Sequence, residues 1–181
     1  DTKTFNTTLG SSEDGKWYNS SNKANYFDIE PSINKVDDWQ ILSPVRDKLF
    51  GVSALNRKIH KQFRQNRIDY CSGKLKQNKF EKVRLPKPLG TEEIVYGAKV
   101  INLSNHKRNK VYPEGGLDYI ANGEIGLVVG QYKSNAMKFK GQPKKTEVEF
   151  SSQKGYAYEF SSYDFGVKKI NFHCKNEKKI N

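Results

Sequence analysis

Ile94-Val95-Tyr96-Gly97-Ala98-Lys99-Val100-Ile101-Asn102-Leu103 opens the stretch that decides the fold. A basic loop follows, and then Ile120-Ala121-Asn122-Gly123-Glu124-Ile125-Gly126-Leu127-Val128-Val129-Gly130, Thr146-Glu147-Val148-Glu149-Phe150, Gly155-Tyr156-Ala157-Tyr158-Glu159-Phe160 and Tyr163-Asp164-Phe165-Gly166. These are short runs of β-branched and aromatic residues punctuated by glycine, the composition of strands on a pleated, half-buried surface. The pattern predicts strands over about 94–103, 123–132, 146–151 and 156–160, forming a small, mainly antiparallel barrel. Asn122-Gly123 is a turn signal, because both residues tolerate positive φ. Tyr156, Tyr158 and Phe160 alternate, the period of core and cross-strand packing. Two lysine-rich loops, 104–113 and 133–145, interrupt the strands.

Upstream, Trp39-Gln40-Ile41-Leu42-Ser43 is a compact apolar-leaning run between Asp37-Asp38 and Pro44, the shape of a short buried strand. After Gly51, the residues Val52, Leu55, Ile59 and Phe63 recur at three- and four-residue steps, while Arg57, Lys58, Lys61 and Arg64 fall largely elsewhere around the helix. That spacing predicts an amphipathic helix over 51–63. Segment 69–88 has no period and ends in the breaker Pro86-Lys87-Pro88, so it reads as a basic connector. Segment 26–30 alternates as a short strand that Pro31 ends. The chain thus divides into a polar segment 1–25 read as loop or weakly held edge, 26–90, a strand-rich unit 91–166, and a basic tail 167–181.

The net charge of +12 suits a polyanionic partner, because lysines and arginines that neutralise phosphates release condensed counterions. Between Arg57 and Lys110, 15 lysines and arginines stand against four acids, a net +11 that is nearly the whole excess. A solvated basic surface explains the same charge, and charge alone leaves both readings open. With 35% hydrophobic residues the core is modest, while 12% aromatics argue against wholesale disorder. Cys71 and Cys174 stand far apart with no Cys-x-x-Cys partner, so free thiols are expected, with neither a disulfide framework nor a zinc site. No apolar run has membrane-spanning length and 1–10 lacks a signal-peptide pattern, so the chain reads as soluble and cytoplasmic, with no membrane partner.

The Gly-x-x-x-x-Gly-Lys-Ser/Thr phosphate cradle is missing, and Asp37-Asp38 and Glu92-Glu93 precede strands instead of following them. The chain by itself is therefore expected not to hydrolyse ATP, with no catalytic or metal-ligating residue and no cofactor of its own. His60, His106 and His173 are too scattered for a metal site or a triad. The best local candidate for nucleic-acid contact is His106-Lys107-Arg108-Asn109-Lys110 with Tyr112. Lys107, Arg108 and Lys110 would track phosphates while the Tyr112 ring stacks on a base. Arg57 and Lys61, on the basic flank of the helix, are placed for a phosphate track or for solvent.

In order and spacing, 94–166 resembles the SH3-like barrel inserted in the second motor domain of RecD-like superfamily-1 DNA helicases, within their UvrD-like C-terminal region. The phrase Trp39 to Arg46 followed by Gly51-Val52-Ser53-Ala54-Leu55-Asn56 resembles the strand and helix that precede the insert, so the likeness spans about 26–166. It implies an α+β, mainly β chain: a small SH3-like antiparallel barrel attached to a partial α/β, RecA-like motor segment. It also implies a fragment of an ATP-dependent DNA helicase of the exodeoxyribonuclease V alpha type, contributing single-stranded DNA contact and motor coupling. ATP and magnesium are implied for the intact parent, and the rest of the motor is a partner.

Arg46 holds the Pro-x-Arg position that lies beside the nucleotide cleft in that family. The likeness implies contact with a nucleotide phosphate in the intact motor only; the plain alternative is an exposed arginine in a Pro-led turn. Asn122 and Gly123 match the family's Asn-Gly turn, and the demand of a tight turn explains them without further function. The family's return through an apolar strand and a Val-His-Lys-x-Gln-Gly motif is not seen in 167–181, which implies a truncated chain, a frame-altered gene product or a stand-alone relative without the motor. The alternative from another class is a non-enzymatic RNA- or ribosome-binding small β-barrel, for which charge and strand pattern suffice. A free-standing barrel, however, has no need of the 39–46 phrase. A peptide-binding barrel is disfavoured because no aromatic or acidic groove is readable.

Overall fold

The computed structural model describes residues 17–19, 24–26, 33–38, 40–41, 43–45, 48–75, 85–133 and 141–165. In chain order the elements are β1 (Trp17–Asn19), β2 (Ala24–Tyr26), α1 (Val52–Cys71), β3 (Lys99–Ile101), β4 (His106–Lys107), β5 (Val111–Tyr112), β6 (Tyr119–Ile120), β7 (Ile125–Lys133), β8 (Pro143–Phe150), a 3-10 turn (Ser151–Gln153) and β9 (Ala157–Phe160). Among the described residues the fold is mainly β with one long helix, and every strand pairing is antiparallel. The principal sheet has the order β3-β7-β8-β9-β5, with β3 and β5 at its edges, and β4 and β6 form a separate two-stranded ribbon.

Alternation along the strands makes the sheet two-sided. Thr146, Val148 and Phe150 of β8 and Tyr158 and Phe160 of β9 are buried on one face. There they share a core with Ala98, Val128 and Ile120, the last contributed by the ribbon. Ring packing fixes this core: Phe150 meets Tyr158 edge-on at 5.9 Å, and Phe160 lies 6.0 Å from Phe150 and 5.8 Å from Phe165. On the opposite face Ile125 and Leu127 pack against Ile33 and Val36. β7 is therefore covered on both sides, which is why Ile125 to Val129 is nearly continuously apolar instead of alternating.

Several sequence expectations change. α1 runs to Cys71, well past 63, and its fully buried residues are Ile68 and Cys71, which pack on Val95. The apolar stripe does not stop at Phe63; it continues through Arg64 and Arg67, whose charge disguised it. Gln40, Ile41 and Ser43 carry no strand and Ile41 is 53% exposed; no described strand pairs with them, and a strand without a paired neighbour has nothing to satisfy its backbone. The basic loop 104–113 contains β4 and β5, and 1–25 contains β1, which pairs with β2 through Trp17 opposite Tyr26. Strand 26–30 is described only at Tyr26, the end of β2.

Helix and sheet meet at the turn that leads into β3. Leu89 and Ile94 exchange backbone hydrogen bonds of 2.9 and 3.0 Å, closing a tight loop. His60 Nε2 lies 3.0 Å from the Glu93 carbonyl oxygen, and Arg64 Nη2 donates to the Gly97 carbonyl at 3.1 Å. The Arg67 guanidinium sits 5.8 Å from the centre of the Tyr96 ring. A carbonyl only accepts, so His60 carries its proton on Nε2.

Candidate nucleic-acid interface

The face of β5, β9, β8 and β7 that turns away from the aromatic core carries a connected group of charged and aromatic side chains. Strand alternation puts Lys145 and Glu147 here, on either side of the buried Thr146. Register then places Glu147 directly opposite Glu159, and Lys145 opposite Tyr132. Two like charges across a ladder repel, and lysines resolve the conflict. Lys145 Nζ lies 2.7 Å from Glu147 Oε1 and 3.5 Å from Glu159 Oε2, while Lys110 Nζ lies 2.9 Å from Glu159 Oε1. The hydrogen bond to Glu147 leads in raising the Lys145 ammonium above its ordinary pKa, and the one from Lys110 leads in holding the Glu159 carboxyl below its own.

Tyrosines stand at both ends of this ladder. Tyr112 is 75% exposed and borders the same shallow depression as Lys110, Lys145, Glu147 and Glu159. Tyr132 is 50% exposed, donates its hydroxyl to Glu147 Oε2 at 2.8 Å, and has the Lys145 ammonium 4.9 Å from its ring centre. Gly130 makes that pose possible: a Cβ there would come 2.7 Å from Glu147 Oε2 and 3.1 Å from the Tyr132 ring. The register shift between Val128 and Gly130 sets this part of β7.

The sequence candidates divide. Lys110 and Tyr112 meet on this face. Lys107 is 78% exposed and reaches Asp118 at 3.7 Å, a solvated pairing. Arg108 turns inward: its side chain is 17% exposed, its guanidinium is 4.1 Å from the centre of the Phe160 ring, and its Nη1 is 3.0 Å from Asp164 Oδ1. Burial alone would push the Asp164 carboxyl up, yet hydrogen bonds from Ser161 and Arg108 hold it below its ordinary value. Arg57 and Lys61 are exposed one turn apart on α1. Arg46 lies outside the described residues.

Asn122 and Gly123 occupy a turn in which Gly123 has φ +92°. The amide of Asn122 donates to Asn105 Oδ1 and that of Gly123 to the Asn102 carbonyl, both at 2.8 Å. The excursion from 102 to 124, which carries the basic loop, is tied down by residues that no sequence motif singles out. Asn102 donates to the carbonyls of Ser104 and Ala121, each at 2.7 Å, and Gln153 donates to that of Tyr119 at 2.9 Å. Tyr158 donates to the Leu117 carbonyl at 2.7 Å, and its hydroxyl also meets Gln153. Lys145 falls in the expected loop 133–145, but β8 begins at Pro143, so Lys145 and Glu147 alternate onto one face of the strand.

Among the described residues no group of His, Cys, Asp and Glu is arranged to hold a metal ion, and no helix is long and apolar enough to cross a membrane. Cys71 is buried and unpaired by disulfide, and burial raises its thiol to about 11, which makes it inert near neutral pH. Cys174 lies outside the described residues. No family model, curated protein or solved structure matches the chain.

Proposed function

We propose that the chain is the DNA-handling part of a RecD-like superfamily-1 helicase, a portion of the RecA-like second motor domain joined to an SH3-like barrel. The observation that carries this reading is the joint between helix and sheet. The family likeness assigns α1 to the motor and 91–166 to the inserted barrel. His60, Arg64 and Arg67 of α1 engage Glu93, Gly97 and Tyr96, the residues that lead into β3. A motor helix fastened at three points to the root of a barrel moves with it, which is the physical requirement for passing a stroke to bound DNA. The single aromatic core shared by the five-stranded sheet and the β4–β6 ribbon supports the barrel assignment.

In the intact motor, ATP and magnesium belong to the first motor domain, with Arg46 contributing a guanidinium to a nucleotide phosphate. The phosphate contact belongs to the exposed basic groups Arg57, Lys61 and Lys107, drawn to the phosphate backbone by the net charge of +12, while Tyr112 offers its ring to a base beside Lys110, which is paired with Glu159. Titration of the chain with a labelled single-stranded DNA, the same sequence as RNA, and the corresponding duplex tests the reading. Binding is expected for single-stranded DNA at least as tight as for RNA and tighter than for duplex. Binding to RNA without binding to DNA would overturn it in favour of a non-enzymatic RNA- or ribosome-binding barrel. ATP turnover by this chain alone at a motor-like rate would also contradict it.

A further inference from the structure

The exposed ladder between Tyr112 and Tyr132 is electrically balanced: Lys110 and Lys145 stand against Glu147 and Glu159. A surface that served only as a phosphate track would carry an excess of cations, as α1 does at Arg57 and Lys61. This face instead has neutralised its charges and kept two large rings in solvent. The Tyr132 ring is oriented in advance by Glu147, by Lys145 and by the missing side chain at Gly130. Pre-orientation reduces the entropy given up when a flat partner stacks on it.

The register gives the spacing. Tyr112 is opposite Ala157, which is opposite Glu149; Tyr132 is opposite Lys145, four residues from Glu149 along β8. With ordinary strand separation and rise, the two tyrosines stand at diagonal corners roughly 20 Å apart. That distance is spanned by on the order of 3–6 nucleotides of a single strand at about 3.4 Å or more each. We infer that the outer face of β5, β9 and β8, with the Tyr132 end of β7 beyond the part covered by Ile33 and Val36, is a base-contacting platform for single-stranded DNA, on which Tyr112 and Tyr132 each stack on a base while the intervening lysine–glutamate ladder keeps the surface neutral. The inference rests on the DNA-handling reading and extends its base contact from Tyr112 alone to a face with a second, pre-oriented ring at Tyr132.

The test uses the full chain, a labelled single-stranded oligonucleotide long enough to span both rings, and the variants Tyr112→Ala, Tyr132→Ala and Tyr112→Phe. Each alanine variant is expected to weaken binding by about 5- to 150-fold, the range for removing one stacked base. The slope of log affinity against log salt should stay at its parental value, because every cation that faces a phosphate remains in place. Tyr112→Phe, which keeps the ring, should bind far more tightly than Tyr112→Ala. The high exposure of Tyr112 makes that variant safe for folding, and a matching urea midpoint confirms it. Parental binding with alanine variants that bind equally well would overturn the platform and leave the DNA-handling reading standing. A parental chain that binds no single-stranded DNA would overturn both. Weaker binding accompanied by a shallower salt slope would assign the face to phosphates and overturn the base-contact inference.

Discussion

Arg64 reaches from α1 to the carbonyl oxygen of Gly97, 3.1 Å from its Nη2, and so ties the helix to the residue two positions before β3. Burial, with the nearby Arg67 charge, lowers its pKa to about 10, and the guanidinium remains charged at neutral pH. Its removal leaves the Gly97 carbonyl without that donor and strips the aliphatic stem from the helix–sheet seam. Arg64→Ala is expected to cost about 1–3 kcal/mol in urea unfolding, with faster amide exchange over residues 90–97 than elsewhere in the sheet. Unchanged exchange at that turn would show that the seam holds without Arg64.

The same seam carries a pH dependence. Burial is the main cause lowering the His60 pKa from its ordinary 6.5, and the neighbouring Arg64 charge adds to it against the opposing pull of the Glu93 carbonyl. The unfolded chain therefore takes up a proton that the folded chain resists. Stability from this group is complete above 6.5 and is lost as pH falls from there through the lowered folded value. His60→Gln keeps a donor for Glu93 and removes the titration, so its urea midpoint should fall less than the parent's between about pH 7 and about pH 5. Equal losses in the two proteins would assign the acid sensitivity to other groups.

Arg108 and Lys107 are neighbours with opposite fates. Arg108→Ala removes a guanidinium held between the Phe160 ring and Asp164, and should cost about 1–3 kcal/mol of stability. Lys107→Ala removes an exposed partner of Asp118 and should stay within about 0.5 kcal/mol of the parent. Equilibrium urea unfolding of the two variants checks this. Similar losses would contradict the division of the basic loop into an inward and an outward group.

The legible part of this protein was the part in which charge and burial follow the backbone period. In β8 and β9, Val148, Phe150, Tyr158 and Phe160 face inward at every second residue, and the antiparallel sheet follows from that. The helix start was visible for the same reason at period 3.6. Its end was hidden because Arg64 and Arg67 occupy seam positions, where their charged ends find a carbonyl and a ring. Arg108 was hidden likewise: within a run of basic residues, nothing local says that one guanidinium lies over Phe160, 52 positions later. At Gln40, Ile41 and Ser43 the run misled in the other direction, since apolar composition does not supply the neighbouring strand that Ile41 would need; Trp39 and Leu42 lie outside the described residues. The pairing of Glu147 with Glu159 depends on register, which two separate segments fix only together.

That this chain holds single-stranded DNA by its exposed basic groups is open to a direct check: affinity as a function of salt, for the parent and for the Arg57→Gln, Lys61→Gln double variant. The expected result is log affinity falling linearly with log salt in the parent. In the variant the slope should be shallower by about 1 to 2, roughly 0.7 for each single-strand phosphate deprived of its cation. Parental affinity that is indifferent to salt, or no binding even at low ionic strength, would contradict this assignment of the basic groups.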